Sequence, residues 1–246
     1  MDATNLKTRM NTKVQALSER EPGTSQYLAL NSNALELIQE NLKHQPLSFQ
    51  LFDMVKSPSG GSTVFSVPGL SGEEPEKELT GIILDYTTPR AYWATSDPVE
   101  GMPPTCLSKD SLISEDGKAC AHCPFNDFGS KDGDSPAKAC KESVLLFLLR
   151  PGSVFPLLVR VPVTSKKIFL KYTTRLVSRL TPLSSVVTRI TLEKATSREG
   201  KPYALFHFDA VQTLDQGTAA KAREFGRQFM ECVNTADVEP VFTQAG

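Results

Sequence analysis

The chain has 246 residues, of which 22% are charged and 39% hydrophobic, and its formal net charge is −1. That length buries a large core, as one elaborated domain or two small ones, and no apolar run reaches the roughly 20 residues that a bilayer-spanning helix needs. A near-neutral sum excludes a protein that coats nucleic acid by global attraction alone. The distribution of charge is more informative, because residues 141–212 hold twelve Lys/Arg against four Asp/Glu, a net of +8 that leaves −9 for the rest. A basic segment of that kind supplies a local positive surface, or no more than a solvated helix face.

In chain order, residues 1–30 lack hydrophobic periodicity and read as a loose arm, with no apolar core of the signal-peptide kind, so a cytoplasmic location is expected. A short helix follows, with Asn33 as N-cap, Glu36 three residues on, and Ala34, Leu35, Leu37, Ile38 and Leu42 as its apolar stripe. Residues 49–55 and 63–67 read as short strands flanking the breaker Ser57-Pro58-Ser59-Gly60-Gly61-Ser62, and the acidic Glu73, Glu74, Glu76 and Glu78 as a solvated loop. A long strand over 79–94 should bend at Pro89, and a polar segment bearing four cysteines occupies about 103–141. Residues 143–150 and 154–161 are apolar strands joined at Arg150-Pro151-Gly152-Ser153 into a hairpin.

Thr164 or Ser165 then caps a helix to about Leu180. Its Ile168, Tyr172, Leu176 and Leu180 recur every fourth position, supported by Phe169 and Val177, and Lys167, Lys171, Arg175 and Arg179 recur with the same step on an adjacent face. Alternating strands over 186–193 and 203–211, joined at Ser197-Arg198-Glu199-Gly200, precede a helix over 218–233 and a polar tail.

The order is a long bent strand, an insertion, two strands, a helix and two strands. That is the element order of an OB-fold, a five-stranded barrel with its helix between strands three and four. The fold class expected is mainly β (α+β), an OB-like barrel with a zinc-ribbon-like insertion in its first inter-strand loop and flanking helices. A generic α+β sheet with the same insertion has the same elements. The divisions expected are 1–45 for the arm and short helix, 46–215 for the barrel with the insertion at about 104–141, and 216–246 for the last helix and tail.

Cys106 is followed after thirteen residues by Cys120, after two more by Cys123, and after sixteen by Cys140, with Cys232 left over. An odd count suits metal binding in a reducing compartment better than disulfides. Two cysteines two residues apart hold one ion from a tight turn, and distant cysteines complete a tetrahedron, so one structural Zn2+ on these four is expected. Soft sulfur selects zinc over magnesium or calcium, although an iron–sulfur cluster uses the same ligands. Residues around them, such as Asp110, Gly129, Asp132 and Gly133, are turn formers that need an ion to be ordered. A deaminase zinc centre is excluded, since proline follows the pair in Cys120-Ala121-His122-Cys123-Pro124 and no His-x-Glu occurs.

Among other motifs there is no His-Glu-x-x-His, no Gly-x-Ser-x-Gly and no Walker-type loop, so no catalytic residue is nominated and the chain is not expected to be an enzyme. Tyr86, Tyr92 and Trp93 lie on the bent first strand with Arg90 between them, which suits base stacking beside a cation. Barrel core is the other place for such rings, but neighbours alternate across a strand, so Tyr92 and Trp93 cannot both point inward. The nucleic-acid contacts nominated are Tyr86, Arg90, Tyr92, Trp93, Lys167, Lys171, Arg175 and Arg179.

Over about 35–213 the chain resembles uncharacterised proteins of prophages and other mobile elements, some likened to single-stranded-DNA-binding proteins. The residues that carry the resemblance are Ala34-Leu35-Glu36-Leu37-Ile38, Val55-Lys56-Ser57-Pro58-Ser59-Gly60-Gly61, Arg90-Ala91-Tyr92-Trp93, the four cysteines, and Val187-Thr188-Arg189-Ile190-Thr191-Leu192-Glu193-Lys194-Ala195. It implies a non-catalytic binder of single-stranded DNA in replication or recombination, in the cytoplasm of a bacterial host cell, with replication or recombination proteins as further partners. The other class is a zinc-stabilised protein-interaction module, an inhibitor or adaptor of a host enzyme, which the near-neutral charge and the acidic stretch favour.

Overall fold

The computed structural model describes residues 26–30, 33–43, 49–95, 99, 102–131, 136–197, 200–233 and 242. Of the arm expected over 1–30, residues 1–25 lie outside the described residues, as do most of the tail and Arg198 and Glu199 of the expected turn. Residues 26–30 are not loose, since Tyr27, Ala29 and Leu30 are buried. The chain is mainly β with three α-helices among these residues. In order, α1 (Ala34–Asn41) precedes β1 (Met54–Val55), β2 (Phe65–Gly69), β3 (Gly72–Glu76), β4 (Glu78–Thr87), β5 (Arg90–Tyr92) and β6 (Cys106–Ser108). Then come β7 (Lys141–Leu149), β8 (Leu157–Pro162), α2 (Val163–Val177), β9 (Val186–Thr196), β10 (Pro202–Thr213) and α3 (Gln216–Val233).

One curled sheet runs β1-β8-β7-β4-β9-β10, antiparallel throughout except for the parallel β1–β8 pair. From Ser143 to Leu149 every residue of β7 is buried, because this apolar run is covered on both faces. Val144, Leu146 and Leu148 point into the hollow of the sheet, where α2 inserts Phe169, Tyr172 and Leu176. Leu145, Phe147 and Leu149 face the other way, onto α3 and the N-terminal segment, with Phe229 edge-on to both Phe147 and Phe52. Tyr27, Leu30 and Ile38 join that second core, so the first helix, the sheet and the last helix are one packed body.

Two buried hydrogen bonds pin α2 in the hollow: the Tyr172 and Thr188 hydroxyls meet at 2.7 Å, and Ser165 Oγ accepts the Phe206 N–H at 3.0 Å. Beyond β1, the turn Ser59–Gly61 crosses to the far edge of the sheet. There a Cβ on Gly61 would stand about 3.1–3.2 Å from Pro202 and Lys194, so the close approach needs glycine.

Several expectations are corrected. The acidic stretch is not a loop: Glu73, Glu74 and Glu76 lie on β3, paired with β2 in a hairpin whose acidic side chains stay mostly in solvent. Residues 49–55 form a 3-10 turn (Phe49–Leu51) and only two residues of strand. Asn33 and Glu36 bond each other at 2.6 Å instead of capping backbone. Ser165 is no cap, since α2 begins at Val163 and buries Ser165 against β10. The last helix begins at Gln216, where Asp215 Oδ1 accepts the Thr218 N–H at 3.0 Å.

The α2 stripe also ends early. The Thr181 N–H returns to the Leu176 carbonyl at 3.0 Å, and Leu180 takes the left-handed conformation (φ 54°) that closes the helix. Leu180 is therefore 93% exposed and Val177 exposed beside it, outside the core. A leucine there carries the steric cost of a left-handed residue and loses no packing if removed. Leu180→Gly is expected to raise stability by about 1 kcal/mol, less the glycine's unfolded-state entropy; a lowered urea midpoint would contradict this account of the helix end.

Candidate metal centre

Pro89 interrupts the long strand as expected, and the three residues after it, β5, pair on both sides. Tyr92 stands opposite Cys106 of β6, and Ala91 opposite Lys141 of β7. This double pairing brings Cys106 and Cys140, thirty-four positions apart, to neighbouring strand ends. Between them the chain makes two successive 3-10 turns, Cys120–His122 and Pro124–Asn126, the second begun by proline. The Cys120 N–H donates to the Leu112 carbonyl and the Cys140 N–H to the Phe125 carbonyl, each at 2.8 Å.

All four cysteines thus line one cavity of about 400 Å3, with His122 exposed at its wall. None is in a disulfide. Burial, above all, pushes the Cys140 thiol up to about 11, against the pull of the Arg90 charge, and burial also raises Cys106. Cys140 feels the charge of the other three cysteines, and Cys106 that of Cys120 and Cys123 together with Asp116. Four thiols are the donor set of a soft or borderline-soft cation. The side chains ring the cavity without converging: among the described residues no group of three or more His, Cys, Asp or Glu stands close enough to hold an ion.

A polar network ties this segment to the sheet. Arg90, with 11% of its side chain exposed, lies 3.2 Å from Glu142, which also pairs with Lys166 of α2. Arg90 also donates to Asn126 Oδ1, which takes a second bond from Lys138 at 3.0 Å, while Asn126 Nδ2 donates to the Cys120 carbonyl at 3.0 Å. Arg90 is therefore occupied within the protein.

The nominated aromatics are engaged as well. Tyr86 is edge-on to Phe169 in the hollow of the sheet. Tyr92 stacks on Phe125 with centroids 3.9 Å apart and planes 13° apart. The Trp93 indole donates to the Met102 carbonyl at 3.0 Å, and its ring packs on the second core beside Phe242. Both Tyr92 and Trp93 are half-buried, so the alternation argument does not free either ring. By contrast Lys167, Lys171, Arg175 and Arg179 are all exposed, as the helical step predicts, with Arg179 just beyond the end of α2.

Sequence reasoning passed over Phe125 and Phe128, aromatics inside a polar stretch, and the cations Lys138, Lys141 and Arg160. Lys138 lies 4.6 Å above the Phe128 ring, Lys141 5.3 Å above Trp93, and Arg160 5.2 Å from Phe242. Two rings in a segment that has no core to fill were the signal available.

Asn126 is the node of the network, so Asn126→Ala should open the cysteine segment locally. Limited proteolysis is expected to cut within 109–131 while the rest of the chain stays resistant; an unchanged digestion pattern would remove Asn126 from that role. No protein-family model, no curated protein and no solved structure matches the chain, so the resemblance to mobile-element proteins rests on the residues quoted for it.

Proposed function

We propose that the protein is a non-catalytic binder of single-stranded nucleic acid, DNA in the first place, built as an OB-like barrel with a zinc-stabilised insertion. The observation that carries it is the cationic face of α2. Lys167, Lys171 and Arg175, with Arg179 beyond them, project into solvent, and none has a carboxylate partner among the described residues. Lys171 and Arg175 share a groove with Glu193 and Asp209, but those carboxylates pair with His207 and Arg189. A row of exposed cations without ion pairs suits a phosphodiester backbone.

The strand order supports the OB-like reading. Taking β4 with β5 as strand one, the sheet runs three-two-one-four-five with α2 between three and four, and the cysteine segment falls between one and two. The outer face of strands two and three, which OB-folds commonly offer to oligonucleotides, lies here under α3 and the N-terminal segment. Contacts are then left to the helix and the loops. The resemblance implies a role in the replication or recombination of a phage or mobile element inside a bacterial cytoplasm. No helix among the described residues is long and apolar enough to cross a membrane.

Zinc on Cys106, Cys120, Cys123 and Cys140 would supply what the turn-rich segment lacks, a centre to order around, and its closure takes rotation of the four thiols into their shared cavity. Purified protein is expected to carry about one equivalent of zinc by elemental analysis, and Cys120→Ser or Cys123→Ser to loosen 104–141 more than the sheet. Metal-free protein with an intact, protease-resistant segment would sink this part.

Binding is tested by gel shift with oligo-dT across a salt series. Lys171→Glu with Arg175→Glu should weaken binding and flatten its log–log salt slope by about 0.7 for each phosphate no longer neutralised. No shift with single strands, duplex or RNA would leave the protein-interaction reading, which the exposed Leu112 and Ile113 on the insertion favour.

A further inference from the structure

The cysteine segment ends in a small hairpin that the α2 reading does not use. Residues 128–131 lie against 136–139, held by Gly129 N–H to Pro136 O and Lys131 N–H to Ala137 O, both 3.2 Å, and by Ala139 N–H to Ser130 Oγ at 3.0 Å. Ser130 Oγ also donates to the Phe125 carbonyl at 3.0 Å, which fixes the hairpin to the stacked Tyr92–Phe125 pair. On this frame Phe128 is 83% exposed, and the Lys138 ammonium is the group the structure places over its face. The hydrogen-bonded frame holds this ring out of both cores and in solvent, where a flat partner can reach it.

Further cations lie on the same segment as that ring. Lys131 is exposed on the hairpin, and Lys141, where the segment rejoins the sheet, is exposed too, with its ammonium over the half-buried Trp93. Lys131 and Arg160 lie near enough for their charges to act on Lys141. Neither Lys131 nor Lys141 has a carboxylate partner among the described residues, and the adjacent Glu142 is already taken by Arg90 and Lys166. Crowded like charges beside an open ring favour a ligand that brings negative charge and flat faces at once. A single strand does so at every nucleotide, since each base has a π-face and each linkage a phosphate. An acidic protein surface would match the charge and leave the ring uncovered.

We propose that this hairpin is the nucleotide-reading part of the binding surface, with Phe128 stacking on a base and Lys131 and Lys141 contacting the flanking phosphates. The site rests on the single-strand reading above and lies where that reading was silent, in the loop between strands one and two of the sheet. Phe128 and Lys131 are exposed, so their replacement should leave thermal stability unchanged, whereas a change at Lys141 also removes its contact with the Trp93 ring.

The experiment measures fluorescence-anisotropy titrations of labelled oligo-dT with full-length protein over a salt series. Phe128→Ala is expected to weaken binding about tenfold or more with the salt slope kept, and Phe128→Trp to keep the affinity. Lys131→Glu with Lys141→Glu is expected to weaken binding and flatten the slope by about 1.4, two single-strand phosphate contacts. Wild-type binding that survives all of these variants but falls with Lys171→Glu/Arg175→Glu overturns the hairpin site and leaves the wider reading standing. Absence of wild-type binding overturns both.

Discussion

Strand β7 is covered on both faces, and the two covers are built from different helices. Val144, Leu146 and Leu148 commit the inner face to α2, while Leu145, Phe147 and Leu149 commit the outer face to α3 and the N-terminal segment. Each such side chain contributes roughly 1.5–3 kcal/mol when buried, so neither cover is dispensable. Pairing with β4 on one side and β8 on the other then sets the order of the whole sheet around this strand. Burial stops only where the strand begins, at Lys141 and Glu142, and there the cysteine segment is attached.

That layout decides where chemistry is available. With the outer face of β7 and β8 closed by apolar packing, the surfaces left open are strand ends, loops and the solvent side of α2. The strand end is also where charges lie partly buried, and such charges are tolerable only when each is paired. Glu142 satisfies this by joining Arg90 to Lys166, which links the insertion, the sheet and α2 through one carboxylate. Arg90 faces a second demand, since its charge also favours thiolate at Cys140. A metal ion on the four sulfurs would leave a negatively charged centre beside that guanidinium, a pairing already in place.

The legible parts of the sequence were those whose signal is local. The hairpin of β7 and β8, the bend at Pro89, the α2 cations and the inward Ala204, Phe206 and Phe208 of β10 follow from period and turn chemistry, while Ala210, expected on the same side, is exposed. The early end of α2 was not legible, because Leu180 continues the apolar step while its backbone leaves the helix. Glu73, Glu74 and Glu76 read as loop because their charge marks solvent exposure and says nothing of backbone pairing, while β3 pairs with β2, whose Phe65 and Val67 reach the core. The occupation of Tyr92 by Phe125, and of Arg90 by Glu142 and Asn126, depends on contacts up to 52 positions apart along the chain, which no periodicity reveals.

The double pairing of β5 has a consequence for how such a chain can change over time. Because Ala91 lies opposite Lys141, the segment leaves the sheet and returns to it at adjoining points, and its length in between places no strain on the strands that follow. A stretch of some fifty residues could be shortened, lengthened or traded for another while β4, β7 and β8 keep their partners. The sheet with its two covers keeps its own pairings, and the segment answers to it through Leu107 and Trp93, which pack on the second core.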